Sequence, residues 1–334
     1  MMGATKMGNR FLITGALGCI GAWVTRNLVQ AGDQAIIFDL AHDPHRLKLI
    51  MSNEDLAKIQ FIRGDITDLE AIERALDEHT ISHVIHLAAL QVPFCRANPP
   101  LGARVNVVGT VNIFEAVARR KERIERIVYA SSVAVYDAAD AGEAGAVVQH
   151  DTAGHPANLY GVYKQANEGT ARIYWQDHKL SSIGLRPHTV YGPGRDQGMT
   201  STPTKAMFAA AVGQPYHISF GGRGAYQYAD DVAKAFIACA KANFSGADIF
   251  NLRGTVAHMD DIVAAIQKAA PESVGSMSYE PLQLALPDDF DTTPLEAVIG
   301  TLPHTPLTDA VAETIATFRD RVGDGSLARD AYLG

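Results

Sequence analysis

Residues 10–21 read Arg-Phe-Leu-Ile-Thr-Gly-Ala-Leu-Gly-Cys-Ile-Gly, an apolar strand that runs directly into a glycine-spaced turn. Gly15, Gly18 and Gly21 follow the spacing G-x-x-G-x-x-G. Such a turn lets the backbone approach a pyrophosphate and aims the N–H groups and positive end of the next helix at it. A Cβ would block either a φ > 0 geometry or the close approach, so glycine is required. A helix over 22–31 follows, with Trp23, Leu28 and Val29 on one face, and Gly32 ends it. Gln34 to Phe38 then form a second strand closing on Asp39, 18 residues after Gly21 (39 − 21). A carboxylate there accepts hydrogen bonds from an adenosine ribose, so the chain reads as dinucleotide-binding.

Strand-like runs at 10–14, 34–39, 58–63, 83–87, 126–131 and 181–186 alternate with helical stripes such as Leu69, Ile72, Leu76 and Ile113, Phe114, Val117. That alternation predicts an α/β, Rossmann-type doubly wound parallel sheet with helices on both faces. A long loop covers 137–158. After Arg186-Pro187 prolines and glycines multiply and the alternation stops. A helix over 230–242, a strand over 248–252 and helices near 258–269 and 306–321 follow. We therefore expect a nucleotide-binding domain over 1–187, with 225–252 returning to it. The expected substrate lobe is a smaller α/β unit built from 188–224 and 253–322, ahead of a flexible tail over 323–334.

A net charge of −8 and a pI near 5.8, with no unbroken basic block, exclude general affinity for nucleic acid or anionic membranes. Arg119, Arg120, Lys121 and Arg123 cluster, but Glu115, Glu122 and Glu125 lie among them. The three cysteines, Cys19, Cys95 and Cys239, form no metal-ligand pattern and fit a reducing compartment. His79, His83 and His86 straddle a helix end and a strand, so no metal site is expected. Neither a signal peptide nor an apolar span of membrane length is legible, which points to the cytoplasm.

A second constellation follows the fifth strand. Arg126-Ile-Val-Tyr-Ala leads into Ser131-Ser132, and Tyr160-Gly-Val-Tyr163-Lys164 comes 28 residues after Ser132 (160 − 132). Tyr160 and Lys164 share a helix face. A phenol with an ordinary pKa near 10 is a poor base at neutral pH. A neighbouring ammonium would lower that value, letting Tyr160 take a hydroxyl proton while hydride leaves the same carbon. Ser132 would hold the hydroxyl. The same i, i+4 pair also serves as a packed aromatic under a lysine, and Tyr163 is read as packing.

Taken in order, the glycine turn, Asp39, Ser132, Tyr160 and Lys164 resemble the extended short-chain dehydrogenase/reductase family, the NAD-dependent epimerase/dehydratase group. Gly64-Asp65-Ile66, His86-Leu87-Ala88-Ala89, Asn106-Val-Val-Gly109-Thr110, Val135-Tyr136 and Arg186-Pro187-His-Thr-Val190-Tyr191-Gly192-Pro193-Gly194 extend the likeness over nearly the whole length. The resemblance implies NAD held by Gly15, Gly18, Cys19, Ile20, Gly21, Asp39, Asp65, Ile66, Leu87, Ala88, Ala89, Asn106, Tyr160, Lys164 and Pro187. It also implies catalysis by Ser132, Tyr160 and Lys164. Arg46 keeps NADP open.

The chain departs from the family in two places. Ser132-Val133-Ala134 lacks the carboxylates of family dehydratases, which argues against water elimination. Gly224 stands where nucleotide-sugar members carry an arginine, and 281–300 holds neither Arg nor Lys. A diphosphate is usually gripped by such arginines. The expectation is therefore an NAD-dependent oxidoreductase or epimerase acting on a secondary alcohol of a sugar, sugar acid or similar polyhydroxylated metabolite. Gln91, Phe94, Ser132, His188, Arg195 and Arg223 are the candidate substrate contacts. A nucleotide-sugar 4-epimerase using Arg195 and Arg223 is the alternative, and a non-catalytic NAD-binding regulator the remote one. Family members commonly dimerise through helices matching 103–120 and 159–178; Val107, Val111, Phe114, Ile173 and Trp175 could serve that interface or equally face the sheet, and a homodimer is the expectation here.

Overall fold

Seven apolar runs assemble into one parallel sheet: β1 (Arg10–Thr14), β2 (Gln34–Asp39), β3 (Gln60–Arg63), β4 (His83–His86), β5 (Arg126–Ala130), β6 (Ser181–Arg186) and, after three short strands elsewhere, β10 (Ala247–Asn251). A computed structural model describes residues 9–142 and 145–333 of the chain. The spatial order is β3-β2-β1-β4-β5-β6-β10. Phe11, Leu12, Ile13 and Thr14 of β1 are all buried, as a central strand covered on both faces demands. From β1 the chain builds outward to β2 and β3, then crosses to β4 and builds the other way. The order thus reverses between β1 and β4, and a ligand crevice opens beyond the carboxyl ends of these two strands. Their register, with Thr14 beside His86, brings the glycine turn and Leu87-Ala88 together.

The remaining strands are short: β7 (Thr189–Tyr191), β8 (Tyr216–Ile218), β9 (Arg223–Tyr228), β11 (Thr255–His258) and β12 (Met277–Tyr279). They form a three-stranded sheet, β11-β9-β7, and a two-stranded one, β12-β8. The stretch that reads as irregular in sequence therefore holds regular structure, including a helix over Thr202–Ala211. Six of the eight residues from Pro203 to Ala210 are fully buried and the others nearly so or partly, which blurs the amphipathic stripe that would reveal it. One buried cluster runs from Phe11 and Ile13 through Phe236 of the helix Ala229–Lys241 to Phe208 and Phe318.

The end of the chain corrects the expected loose tail. The last helix runs Leu307–Gly323, and beyond it Tyr332 is 4% exposed, stacked on Phe208 (5.1 Å) and edge-on to Phe318 (4.9 Å). A buried aromatic nine residues past the helix has bound the tail to the core. Among the described residues no helix is long and apolar enough to cross a membrane.

Candidate active site

The glycine turn fits a dinucleotide because its backbone is packed to the limit. Gly15 has φ +69°, and a Cβ there would lie 2.6 Å from the Ala88 nitrogen. A Cβ on Gly21 would lie 2.3 Å from the Gly15 carbonyl. Gly18 precedes the helix Cys19–Gln30 and brings no side-chain cap, so the first N–H groups of that helix face the crevice without an intrahelical partner. Asp39 Oδ2 accepts from Leu17 N (2.9 Å) and Oδ1 from Ala41 N (3.0 Å), holding the carboxylate beside the turn. Arg46 is otherwise engaged: it donates to the Leu17 carbonyl (2.7 Å) and pairs with Asp196 (2.7 Å). A guanidinium so occupied is not free to receive the extra phosphate of NADP.

Around the crevice, polar side chains fix the loops. Thr14 Oγ1 lies 2.6 Å from His86 Nδ1, His86 Nε2 lies 3.0 Å from Thr110 Oγ1, and Thr110 donates to the Asn106 carbonyl (2.8 Å). Since the Thr110 proton is committed to Asn106, Nε2 carries the imidazole proton and Nδ1 accepts from Thr14. Burial pushes the His86 pKa down to about 3, so the ring is neutral. Thr14 Oγ1 in turn accepts from Leu87 N and Ala88 N (both 3.3 Å). Asn106 accepts from Leu90 N (2.7 Å) and donates to the Leu90 carbonyl (2.9 Å), pinning the strand-end loop. Asp65 accepts from Thr67 N, and Asn112 holds the Ile66 carbonyl.

The second constellation is built where β5 ends. Asn158 caps the helix Leu159–His178 by accepting from Gly161 N (3.0 Å). A Cβ on Gly161 would sit 2.0 Å from the Ala134 carbonyl, so this glycine lets the helix press against the turn Val133–Val135. That approach brings Tyr160 beside Ser132, whose hydroxyl pulls the Tyr160 pKa down against the rise from burial. Lys164 is buried and donates to the Ala130 carbonyl (2.7 Å), with its nitrogen 5.5 Å from the Tyr160 ring centre. One turn on, Glu168 accepts from Ser131 Oγ (2.5 Å) and from Arg186 in a bidentate pair (2.8 Å each). Lys164 and Glu168 thus fasten the helix to the ends of β5 and β6.

The electrostatics differ from the sequence expectation of a phenol acidified by its lysine. Burial raises the Tyr160 pKa above its ordinary value, and the opposing pulls come from the Ser132 hydroxyl and the Arg195 guanidinium. Lys164 is turned to the backbone, and burial brings its own pKa down to about 8.

The candidate substrate contacts separate. Arg195 reaches Tyr160 and Cys19 electrostatically, donates to Thr200 Oγ1 (3.1 Å), and makes no ion pair among the described residues. Its Nε is buried without a partner, as is Gln91 Oε1, and both residues meet at Gly198. Phe94 is half exposed on the helix Val92–Ala97. His188 is not available to a substrate: Nε2 bonds the Pro287 carbonyl (3.0 Å) and Nδ1 accepts from Thr189 N (2.7 Å). Arg223 sits at the rim, paired with Asp288 (3.4 Å). Tyr163 packs, donating to the Pro99 carbonyl (2.9 Å), and Pro187 accepts from Val133 N (3.1 Å) beside the serine turn. Glu168 escaped the sequence reading, leaving only the 160, 164, 168 spacing on one helix face; Gly161, His86 and Thr110 stood in the quoted motifs without the contacts they make here.

Comparison with known proteins places this geometry. Residues 11–252 match the model of the NAD dependent epimerase/dehydratase family. The UDP-glucose 4-epimerase of Mycolicibacterium smegmatis is 29% identical, aligned over 93% of this chain and 99% of its own length. UDP-glucuronate 4-epimerase 2 of Arabidopsis thaliana is 33% identical over 57% of this chain, and the match spans 44% of that plant protein. Among solved structures, Thermus thermophilus UDP-glucose 4-epimerase in complex with NAD superposes with a TM-score of 0.78 at 25% identity, covering 93% of this chain and 99% of that one. This chain belongs to the NAD-dependent epimerase/dehydratase family and is an NAD-using enzyme of the extended short-chain dehydrogenase/reductase type.

Proposed function

We propose that the substrate is a sugar acid or related polyhydroxylated anion without a nucleotide, and that the reacting group is a secondary alcohol beside Tyr160. The observation that carries this reading is the state of the would-be diphosphate grip. Gly224 has no side chain to offer, and Arg223 is paired with Asp288. The neighbouring Arg253 is likewise paired with Asp289 (2.6 Å). A diphosphate there would meet carboxylates and committed guanidiniums, whereas Arg195 is an unpaired cation close to Tyr160, suited to one carboxylate.

When bound, NAD supplies the hydride acceptor or donor. Tyr160 is the proposed acid/base, exchanging a proton with the substrate hydroxyl, and Ser132 orients that hydroxyl by hydrogen bond. Lys164 holds the strand end that carries Ser132 and supports the cofactor ribose. The glycine turn, Asp39, Asp65-Ile66, Leu87–Ala89 and Asn106 form the cofactor cradle, within a nucleotide-binding unit over 1–187. We further propose a cytoplasmic homodimer.

A second reading has a specific observation behind it. Both relatives above act, by name, on UDP-sugars, and a diphosphate could also engage Arg195. Thermal unfolding with NAD present separates the two. Hexuronates or aldonates should raise the midpoint, and UDP or UDP-glucose should leave it unchanged. Stabilisation by UDP alone would transfer the assignment to a nucleotide-sugar 4-epimerase.

A further inference from the structure

The segment Gly192–Gly198 joins the two halves of the site; a single turn bond, Arg195 N to the Gly192 carbonyl (3.0 Å), is internal to it, and the rest of its hold comes from outside. Gly192, Gly194 and Gly198 all have positive φ (+124°, +91° and +96°). Three such residues in seven make a loop with many alternative conformations, so its position is set by what ties it down. Two ties come from the cofactor side. Trp23, in the helix that follows the glycine turn, donates its indole N–H to the Pro193 carbonyl (2.9 Å). Arg46 bridges Asp196 to the Leu17 carbonyl of the turn itself.

Thr204 Oγ1 accepts from Gly192 N (3.1 Å), and a further tie comes from the far end of the chain. The Gly194 N–H donates to the Tyr332 hydroxyl (3.0 Å). That tyrosine is anchored by its ring between Phe208 and Phe318. The segment leading to it is fastened as well: Leu327 N donates to the Arg321 carbonyl (2.8 Å), and Arg329 donates to the Val212 carbonyl (3.2 Å). Arg321 itself reaches the Leu49 carbonyl (2.9 Å) behind the second strand. Between these ties the loop carries Arg195, whose charge acts on both Cys19 at the helix start and Tyr160.

We propose that the C-terminal segment is a working part of the cofactor site: the Tyr332 hydroxyl latches the Gly192–Asp196 loop against the glycine turn, and the latched loop sets how long NAD stays bound. Tyr332 is thus a positioning residue that touches neither substrate nor cofactor. The proposal rests on the NAD site described above and adds a determinant from the other end of the sequence.

Stopped-flow measurement of NADH dissociation from the full-length protein tests it, using the change in nucleotide fluorescence. Tyr332→Phe keeps the ring packing and removes only the acceptor for Gly194. Its NADH off-rate should rise about tenfold, the worth of one buried hydrogen bond, with the on-rate within about twofold of wild type. Trp23→Phe removes a second tie on the same loop and should act in the same direction. The double variant should fall short of the product of the two single effects, since one released loop cannot be released again. Leu76→Val, in the separate buried cluster that includes Ile72 and Ile81, serves as a stability control and should leave the off-rate unchanged. An unchanged off-rate in Tyr332→Phe, or an equal rise in Leu76→Val, would overturn the latch. Failure of the wild type to bind NADH would instead overturn the cofactor site itself.

Discussion

At the scale of single residues, the site is a phenol whose acidity is set by opposing forces. Burial holds Tyr160 above its ordinary pKa, while the Ser132 hydroxyl and the Arg195 charge pull it back. The uncomplexed protein therefore keeps this phenol protonated at neutral pH, as an acid ready to donate. Tyr160→Phe should lower turnover by about 10²-fold or more, the usual worth of a positioned proton-transfer group, with NAD affinity within about threefold of wild type. Progress curves with NAD and a hexuronate, beside calorimetric titration of NAD, check both halves. The tyrosine, the lysine and the serine were legible in sequence because their chemistry and spacing are local. The direction of the electrostatics was not. It depends on Lys164 turning to the Ala130 carbonyl and on Arg195 arriving from a loop 35 positions downstream (195 − 160).

At the scale of elements, two contacts decide whether the parts line up. Gly161 permits the helix Leu159–His178 to touch the Val133–Val135 turn. Gly161→Ala should push that helix back by a fraction of an ångström to about 1 Å, cost about 1–3 kcal/mol, and lower kcat by about 10²-fold. Chemical denaturation and steady-state rates measure the two effects. The other contact is the Thr14–His86–Thr110 chain, which ties β1, β4 and the helix Gly109–Ala118 together. Unfolded, His86 titrates near 6.5, and folded it stays neutral down to about 3. Its contribution is thus fully present above pH 6.5 and is lost as pH falls below that value, because the unfolded chain binds a proton the native ring refuses. Between pH 6.5 and 5 the stability should fall by about 1 kcal/mol per pH unit from this residue, and His86→Gln should flatten that slope in urea titrations. The strands β1, β2 and β5 were readable because both of their faces carry apolar residues. The short strands β7, β9 and β11 were not, since glycine and proline break any period around them.

At the scale of the whole molecule, surface and ends matter most. Val108, Val162 and Ile173 are 43–48% exposed on the turn Arg104–Val108 and the helix Leu159–His178. Phe114 packs inward on Tyr129 and Tyr174, the sheet-facing side of the alternative the sequence left open. Light scattering should give a dimer mass for the wild type, and Val162→Lys with Ile173→Lys should give the monomer.

By itself the sequence determined the dinucleotide fold, because glycine spacing, apolar runs and a strand-end aspartate are properties of neighbouring residues. It also named the side chains that we propose carry the chemistry. Only the tertiary structure decided how they are held: Glu168 with Arg186 beneath the serines, His188 bonded to the Pro287 carbonyl, and Tyr332 brought back to Gly194. These contacts join residues far apart in the chain, and their energies depend on burial and on distances that no local pattern encodes.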